Sequence, residues 1–372
     1  MQVDFSVECK KKVSDIHGGN IFKASKIYGI SPDAFLDYSA NINPLGIPVK
    51  LKEIIKSCMD DIVNYPDPEC MELKQNIAQY LNVAEECVVP GNGASEIIYL
   101  LFDAFSLKKV LITSPSFSEY GIAANIYGCE TEYFELKENE NFRIDVQKLL
   151  LTMKEGYDAL FLCNPNNPTS VLTAKEDLLE ILNFAQKNST LVIIDESFIE
   201  LTAGGNENSM IKYIYDFNNM LVIRAFTKIF AMPGLRLGYG IGQHKLAERI
   251  LRRKIPWSIN TFAAAAAKFL PYSHEYLEAS MNWIKEEKKW FYDELSKIAC
   301  IKAFKPETNF ILIKILRQDI DSAKLFDKMA RKGILIRDAS NFMNLDSRFI
   351  RIAIKDRERN KVFLEAFRNV LD

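Results

Sequence analysis

Between residues 109 and 223 the chain alternates short, continuous apolar runs with stretches of helical period. Residues 109–113, 130–134, 159–163, 191–194 and 220–223 predict buried strands, and 118–127, 145–153 and 174–186 predict the helices between them. Strands apolar on both faces, alternating with helices, mean a mostly parallel sheet covered on both sides. Upstream, the pattern predicts helices over 21–28, 49–62 (opened by Pro48), 69–81 and 97–105. A strand at 87–90 and a glycine-rich turn at 91–96 precede the last of these. Downstream, a strand resumes at Leu237, and a long helix over 272–298 leads to strand 310–315, helix 322–332, strands 334–337 and 349–354, and helix 358–371, an α+β layer. The expected organisation is an N-terminal arm (1–45) packing with the small domain, a large α/β domain (46–270), and a smaller α+β C-terminal domain (271–372).

Ligands of parallel sheets sit beyond the carboxyl ends of the strands. Those ends carry Ser114 to Tyr120, Asn164 to Thr169, Asp195 to Phe198, and a Pro/Gly-broken loop holding Arg224, Thr227, Lys228 and Arg236. A lysine desolvated by apolar neighbours and repelled by other cations has a lowered pKa, which suits it to bond a carbonyl carbon. Thr227 and Arg236 suit a phosphate, as do the amides of Gly93, Ala94 and Ser95 between strand and helix. A carbonyl-bonding lysine beside a phosphate clamp points to pyridoxal phosphate. Phe117 would stack on the ring, Asn167 would donate to the ring oxygen, and Asp195, leaving a buried strand, would pair with the protonated pyridine nitrogen. Taken one at a time, these residues keep simpler readings: a solvated basic loop at 224–236, and a turn cap at Asp195. His17-Gly-Gly-Asn20 is either a phosphate corner or a turn into the first helix. Arg337 and Arg351, on apolar strands, are either neutralised by carboxylates or face an anionic substrate. Tyr65, pinned by Pro66, is placed to offer its hydroxyl outside its own subunit.

At 372 residues the chain exceeds one core's growth, in keeping with two domains. Apolar residues at 48%, charged residues at 26% and a net charge of -2 describe a globular protein without the basic excess of a nucleic-acid or membrane-surface binder. No apolar run reaches membrane-spanning length and the N-terminus lacks a signal-peptide core, so the expectation is cytoplasmic. Seven scattered cysteines (Cys9, Cys58, Cys70, Cys87, Cys129, Cys163, Cys300) favour free thiols, and His17, His244 and His274 lie too far apart for a local metal site.

Taken together and in this order, the motifs make the chain similar to the fold type I pyridoxal phosphate enzymes, in the branch holding histidinol-phosphate aminotransferase and L-threonine-O-3-phosphate decarboxylase. The resemblance covers nearly the whole chain. It implies that Lys228 bonds the cofactor aldehyde, Asp195 the pyridine nitrogen and Asn167 the ring oxygen, that Phe117 stacks, and that Ala94, Ser95, Thr227 and Arg236 hold the phosphate. Tyr65 matches a tyrosine reaching the neighbouring subunit's phosphate, implying a homodimer, and Arg351 matches the arginine for the substrate carboxylate. The stretches 17–20, 38–46 and 333–342 resemble the decarboxylase side of the branch, with His17 and Asn43 contacting substrate. The implied reaction is decarboxylation of O-phospho-L-threonine to (R)-1-amino-2-propanol O-2-phosphate for cobalamin, with O-phospho-L-serine a second candidate substrate. The rival is transamination of histidinol phosphate or a related phosphorylated amine with 2-oxoglutarate. A regulator without turnover would bring an added DNA-binding segment and a basic charge. Departures from the family pattern are Phe198 in place of a tyrosine, Ser170 in place of a glycine, and Ala225-Phe226 in place of Ser-Leu.

Overall fold

The computed structural model describes residues 17–372; Cys9 and the first sixteen residues of the expected arm lie outside the described part. Strand β1 (Leu36–Asp37) belongs to the arm. The large sheet comprises β2 (Val88–Asn92), β3 (Lys109–Ser114), β4 (Glu130–Glu135), β5 (Ala159–Cys163), β6 (Leu191–Asp195), β7 (Met220–Ala225) and β8 (Leu237–Gly242) in the order β2-β8-β7-β6-β5-β3-β4. β4, β3, β5, β6 and β7 run parallel, and β8 and β2 join antiparallel.

Period two sorts the strand residues onto two covered faces. Leu160, Leu162, Val192, Ile194 and Val222 enter one core, while Phe161, Ile193, Leu221 and Ile223 enter the other. The helix Gly93–Phe105 lays Ile97, Ile98, Leu101 and Phe102 on the second face. The glycine-rich turn is shorter than its sequence implies, because Gly91 and Asn92 remain in β2 and the helix starts at Gly93. The strands with polar carboxyl ends, β7, β6, β5 and β3, are consecutive in the sheet, so those ends share one edge.

The C-terminal domain is built on β9 (Ile301–Ala303), β10 (Phe310–Ile315), β12 (Arg337–Asp338) and β13 (Phe349–Ala353), an antiparallel sheet ordered β12-β13-β10-β9. The helices His274–Ser296 and Arg357–Leu371 cover it with Ile284, Phe291, Phe363 and Phe367. Residues 334–337 do not form one strand: β11 (Ile334–Leu335) pairs with β1 of the arm, and β12 pairs with β13. The arm is therefore stitched to the small domain, and its His17 end reaches over the large one. Among the described residues, Cys58, Cys70, Cys87, Cys129, Cys163 and Cys300 are free, and no helix is long and apolar enough to cross a membrane.

Candidate active site

β7 delivers Lys228 through a short helical turn, Phe226–Ile229, into a cleft of about 470 Å³. The cleft is lined by His17, Asn41, Ala94, Ser95, Phe117, Asn167, Asp195, Phe198, Thr227, Lys228, Arg236, Arg337 and Arg351, among others. Burial first, then the charges of Arg351 and Arg236, lower the Lys228 amine to about 8, with Asp195 opposing. Its Nζ stands 5.7 Å from the Phe198 ring centroid. Arg224 is not one of the cations acting on it. Strand alternation turns that side chain away from the cleft, where it is buried between Glu196 and Glu200.

The anion corner is formed by contact. A Cβ on Gly93, whose φ is +77°, would fall 2.4 Å from Arg236 Nη2, and one on Gly238 would fall 2.3 Å from the Ala94 amide nitrogen. Glycine at these two positions brings Arg236 and the first amides of the helix Gly93–Phe105 to one place, with Thr227 alongside. Asp195, 4% exposed, accepts from the Tyr120 hydroxyl at 2.7 Å and the Ser197 amide at 2.9 Å, so it does cap its turn while one edge faces the cleft. Arg351 donates to the Asn167 Oδ1, which orients the Nδ2 of that amide as its donor. Phe117 stands edge-on to Tyr120 and 5.9 Å from the His17 ring.

On the substrate side, Arg351 donates Nη2 to the Ser39 carbonyl at 2.8 Å, and its Nε is buried without an acceptor. Burial and the neighbouring Arg337 push the Arg351 guanidinium below its ordinary value. Arg337 donates to Asn341 at 2.7 Å and lies over Phe342. His17 Nε2 meets Glu119 Oε1 at 2.7 Å, and Tyr99 donates to the other oxygen at 2.8 Å. Pairing with His17 first of all holds Glu119 below the usual carboxylate range.

Asn43 is a correction. Its Nδ2 donates to the Ile229 carbonyl at 2.9 Å and to Ser280 Oγ at 2.7 Å, its amide donates to the Lys228 carbonyl at 3.2 Å, and it does not line the cleft. The asparagine in the cleft is Asn41, 2% exposed, with both amide atoms lacking protein partners. A tight turn, Ile42 amide to Ala40 carbonyl at 3.0 Å, breaks the alternation that would otherwise aim both side chains one way. Sequence reading also missed Glu119 and Tyr120; the signal for both was their place just past the end of β3. Tyr65 lies apart, 83% exposed and 5.1 Å from the Trp257 ring in a separate surface hollow.

A lysine of lowered pKa, held between a carboxylate and an anion corner at the carboxyl edge of a parallel sheet, defines a site for an aldehyde cofactor that carries a phosphate. The chain belongs to aminotransferase class I and II, whose sequence model matches residues 34–367, and that family works with pyridoxal phosphate. It is 35% identical to the threonine-phosphate decarboxylase of Salmonella typhimurium, over 95% of this chain and 96% of that one. It is also 36% identical to the adenosylcobalamin biosynthesis bifunctional protein of Leptospira interrogans, over 95% of this chain and 41% of the longer one. The crystal structure of the histidinol-phosphate aminotransferase from Clostridium acetobutylicum superposes with a TM-score of 0.83 at 39% identity, covering 90% of this chain and 98% of that one.

Proposed function

We propose that this protein is a pyridoxal phosphate-dependent decarboxylase of O-phospho-L-threonine, producing (R)-1-amino-2-propanol O-2-phosphate for cobalamin synthesis. The observation that carries the proposal is the pair of buried arginines, cross-strand partners at positions 337 and 351, opening into the lysine cleft. Both guanidiniums face the cleft, and a guanidinium fork matches the geometry of a carboxylate or phosphate. Together with His17 and Asn41 the pair gives the cleft a second anion region besides the Gly93–Arg236 corner. A small substrate carrying both a carboxylate and a phosphate fits that arrangement.

Lys228, Asp195, Asn167, Phe117, Ala94, Ser95, Thr227 and Arg236 are the residues that would hold the cofactor, and the glycine-shaped corner that brings Arg236 to the first helix amides fits its phosphate. When bound, the cofactor supplies an electron sink for the pair released at the substrate Cα. The protein's part would be orientation: Arg351 and Arg337 would hold the substrate carboxylate, and the Lys228 Nζ would supply the proton that replaces it at Cα once it has left as carbon dioxide. Phe198 places an apolar ring beside Lys228 where a tyrosine would add a donor. We place the enzyme in the cytoplasm as a homodimer. Tyr65 and Trp257, with exposed Ile62, Val63 and Ile255 nearby, form the apolar surface through which one subunit would reach its partner's site.

The likeness to the Clostridium aminotransferase favours a second reading, transamination of histidinol phosphate with 2-oxoglutarate. Incubation with O-phospho-L-threonine in the absence of any keto acid separates the two. Sustained carbon dioxide release supports the decarboxylase, whereas glutamate formed from histidinol phosphate and 2-oxoglutarate, with no carbon dioxide, supports the rival.

A further inference from the structure

A buried ion cluster lies beneath the cleft, and the proposed reaction does not use it. Arg224, 1% exposed, donates Nε and Nη2 to Glu196 Oε2 at 3.2 and 3.1 Å. Its Nη1 donates to Glu200 Oε1 at 3.0 Å and to Asn206 Oδ1 at 2.7 Å. From the far side, Ser209 Oγ and the Met210 amide complete the Glu196 carboxylate at 2.6 and 2.7 Å. None of these residues lines the cleft.

Their place in the sheet gives them a role. Glu196 directly follows Asp195, and Arg224 directly follows Ile223; Asp195 and Ile223 are partners on parallel β6 and β7. The ladder between these strands closes with the Glu196 amide on the Ile223 carbonyl at 2.8 Å. Beyond that bond the chains diverge: one enters the turn Ile199–Leu201, and the other runs to Ala225 and the turn bearing Lys228. The side chains of Arg224 and Glu196 cross the gap where the main-chain ladder ends. Arg351 and Arg236 are the cations that lower the Lys228 amine, while the charge of Arg224 is met by two carboxylates. Buried ion pairs add little stability over apolar packing, while their best-attested use is to fix geometry.

We propose that Arg224 and Glu196 are a positioning pair that sets the spacing of Asp195 and Lys228, so that both reach one bound cofactor. The planar guanidinium grips Glu196 with two N–H groups and Glu200 with a third nitrogen, a geometry that a lysine cannot reproduce.

The test is R224K, which keeps the buried charge, alongside E196Q, which keeps an acceptor oxygen and the side-chain shape. A core truncation away from the cleft, I250V, controls for stability. Each cofactor-loaded protein is titrated from pH 5 to 10 by absorbance, the dissociation constant for pyridoxal phosphate is measured, and thermal melting is recorded. The expected result is a dissociation constant raised about tenfold in R224K or E196Q, with a displaced titration midpoint of the bound chromophore; I250V changes the melting temperature alone. Variants that melt lower but match wild type in affinity and spectrum would show that the pair is only core packing. The inference rests on the cofactor reading above: failure of the wild-type chain to take up pyridoxal phosphate would overturn both, and unchanged variants beside a binding wild type would overturn this inference alone.

Discussion

Arg337 and Arg351 face each other as cross-strand partners on β12 and β13, two buried guanidiniums at one edge of the cleft. Arg351 hands its hydrogen bonds to the neutral oxygens of Ser39 and Asn167, leaving its charge available to an anion. A charge-assisted hydrogen bond contributes roughly 1.5–3 kcal/mol. R351K, which loses the planar fork, should therefore raise KM for O-phospho-L-threonine by about 10- to 100-fold and, by loosening the Asn167 amide, shift the absorption of the bound cofactor. Steady-state kinetics beside a spectrum checks this, and an unchanged KM would remove Arg351 from substrate binding.

The two asparagines of the 41–43 stretch should separate cleanly. N41A removes an amide that has no protein partner, so it should raise KM about tenfold or more with little change in melting temperature. N43A breaks bonds to Ile229 and Ser280 and leaves buried acceptors unmet, at a cost of about 1–3 kcal/mol, so it should lower the melting temperature and spare KM. The reverse pattern would contradict the assignment.

Lys228 gives a pH prediction. Its folded pKa lies near 8, below the ordinary lysine value, so in the cofactor-free protein the amine is protonated below that pH and neutral above it. Only the neutral amine attacks an aldehyde. Covalent capture of pyridoxal phosphate, trapped by borohydride and counted by mass, should speed up as pH rises toward 8 and level off beyond it. A rate still climbing steeply at pH 10 would mean that burial and Arg351 do not lower the amine. K228A should trap none.

Tyr65 tests the dimer. Its ring is exposed beside Trp257 in a hollow separate from its own lysine cleft, so in the proposed homodimer it would act in the partner's site. Mixing inactive K228A with weakly active Y65F should restore activity toward one quarter of wild type through hybrid dimers that carry one intact site. Additive activities with no gain on mixing would place Tyr65 outside the partner's site.

The strands of the large sheet are legible because continuous apolar runs bounded by polar ends leave few alternatives; 159–163 coincides with β5 to the residue, as 310–315 does with β10 of the smaller sheet. The helices His244–Leu251 and Thr261–Ala266 went unread, although Leu246, Ala247 and Ile250 carry the helical period in the first. The run 334–337 looked like one strand because a sequence does not show that Ile334–Leu335 and Arg337–Asp338 serve different sheets. Within the site, residue type was readable and direction was not. Arg224 and Lys228 sit in one cationic stretch, yet strand alternation sends Arg224 to Glu196 and the helical turn sends Lys228 to the cleft. Asn43, expected to contact substrate, lies outside the cleft that Asn41 lines because of a local turn that composition does not signal. Ser170, at a position where the family pattern has glycine, takes φ +65° and accepts the Glu307 and Thr308 amides on its hydroxyl, so the departure forms a tie between the two domains.

In the proposed reaction carbon dioxide, and not an amino group, leaves the substrate. The most direct measurement is carbon dioxide evolution from carboxyl-labelled O-phospho-L-threonine by the cofactor-loaded enzyme with no keto acid present. Many turnovers per site are expected, with (R)-1-amino-2-propanol O-2-phosphate accumulating in equal amount. A single equivalent of amino group passed to the cofactor, with no label released, would contradict it.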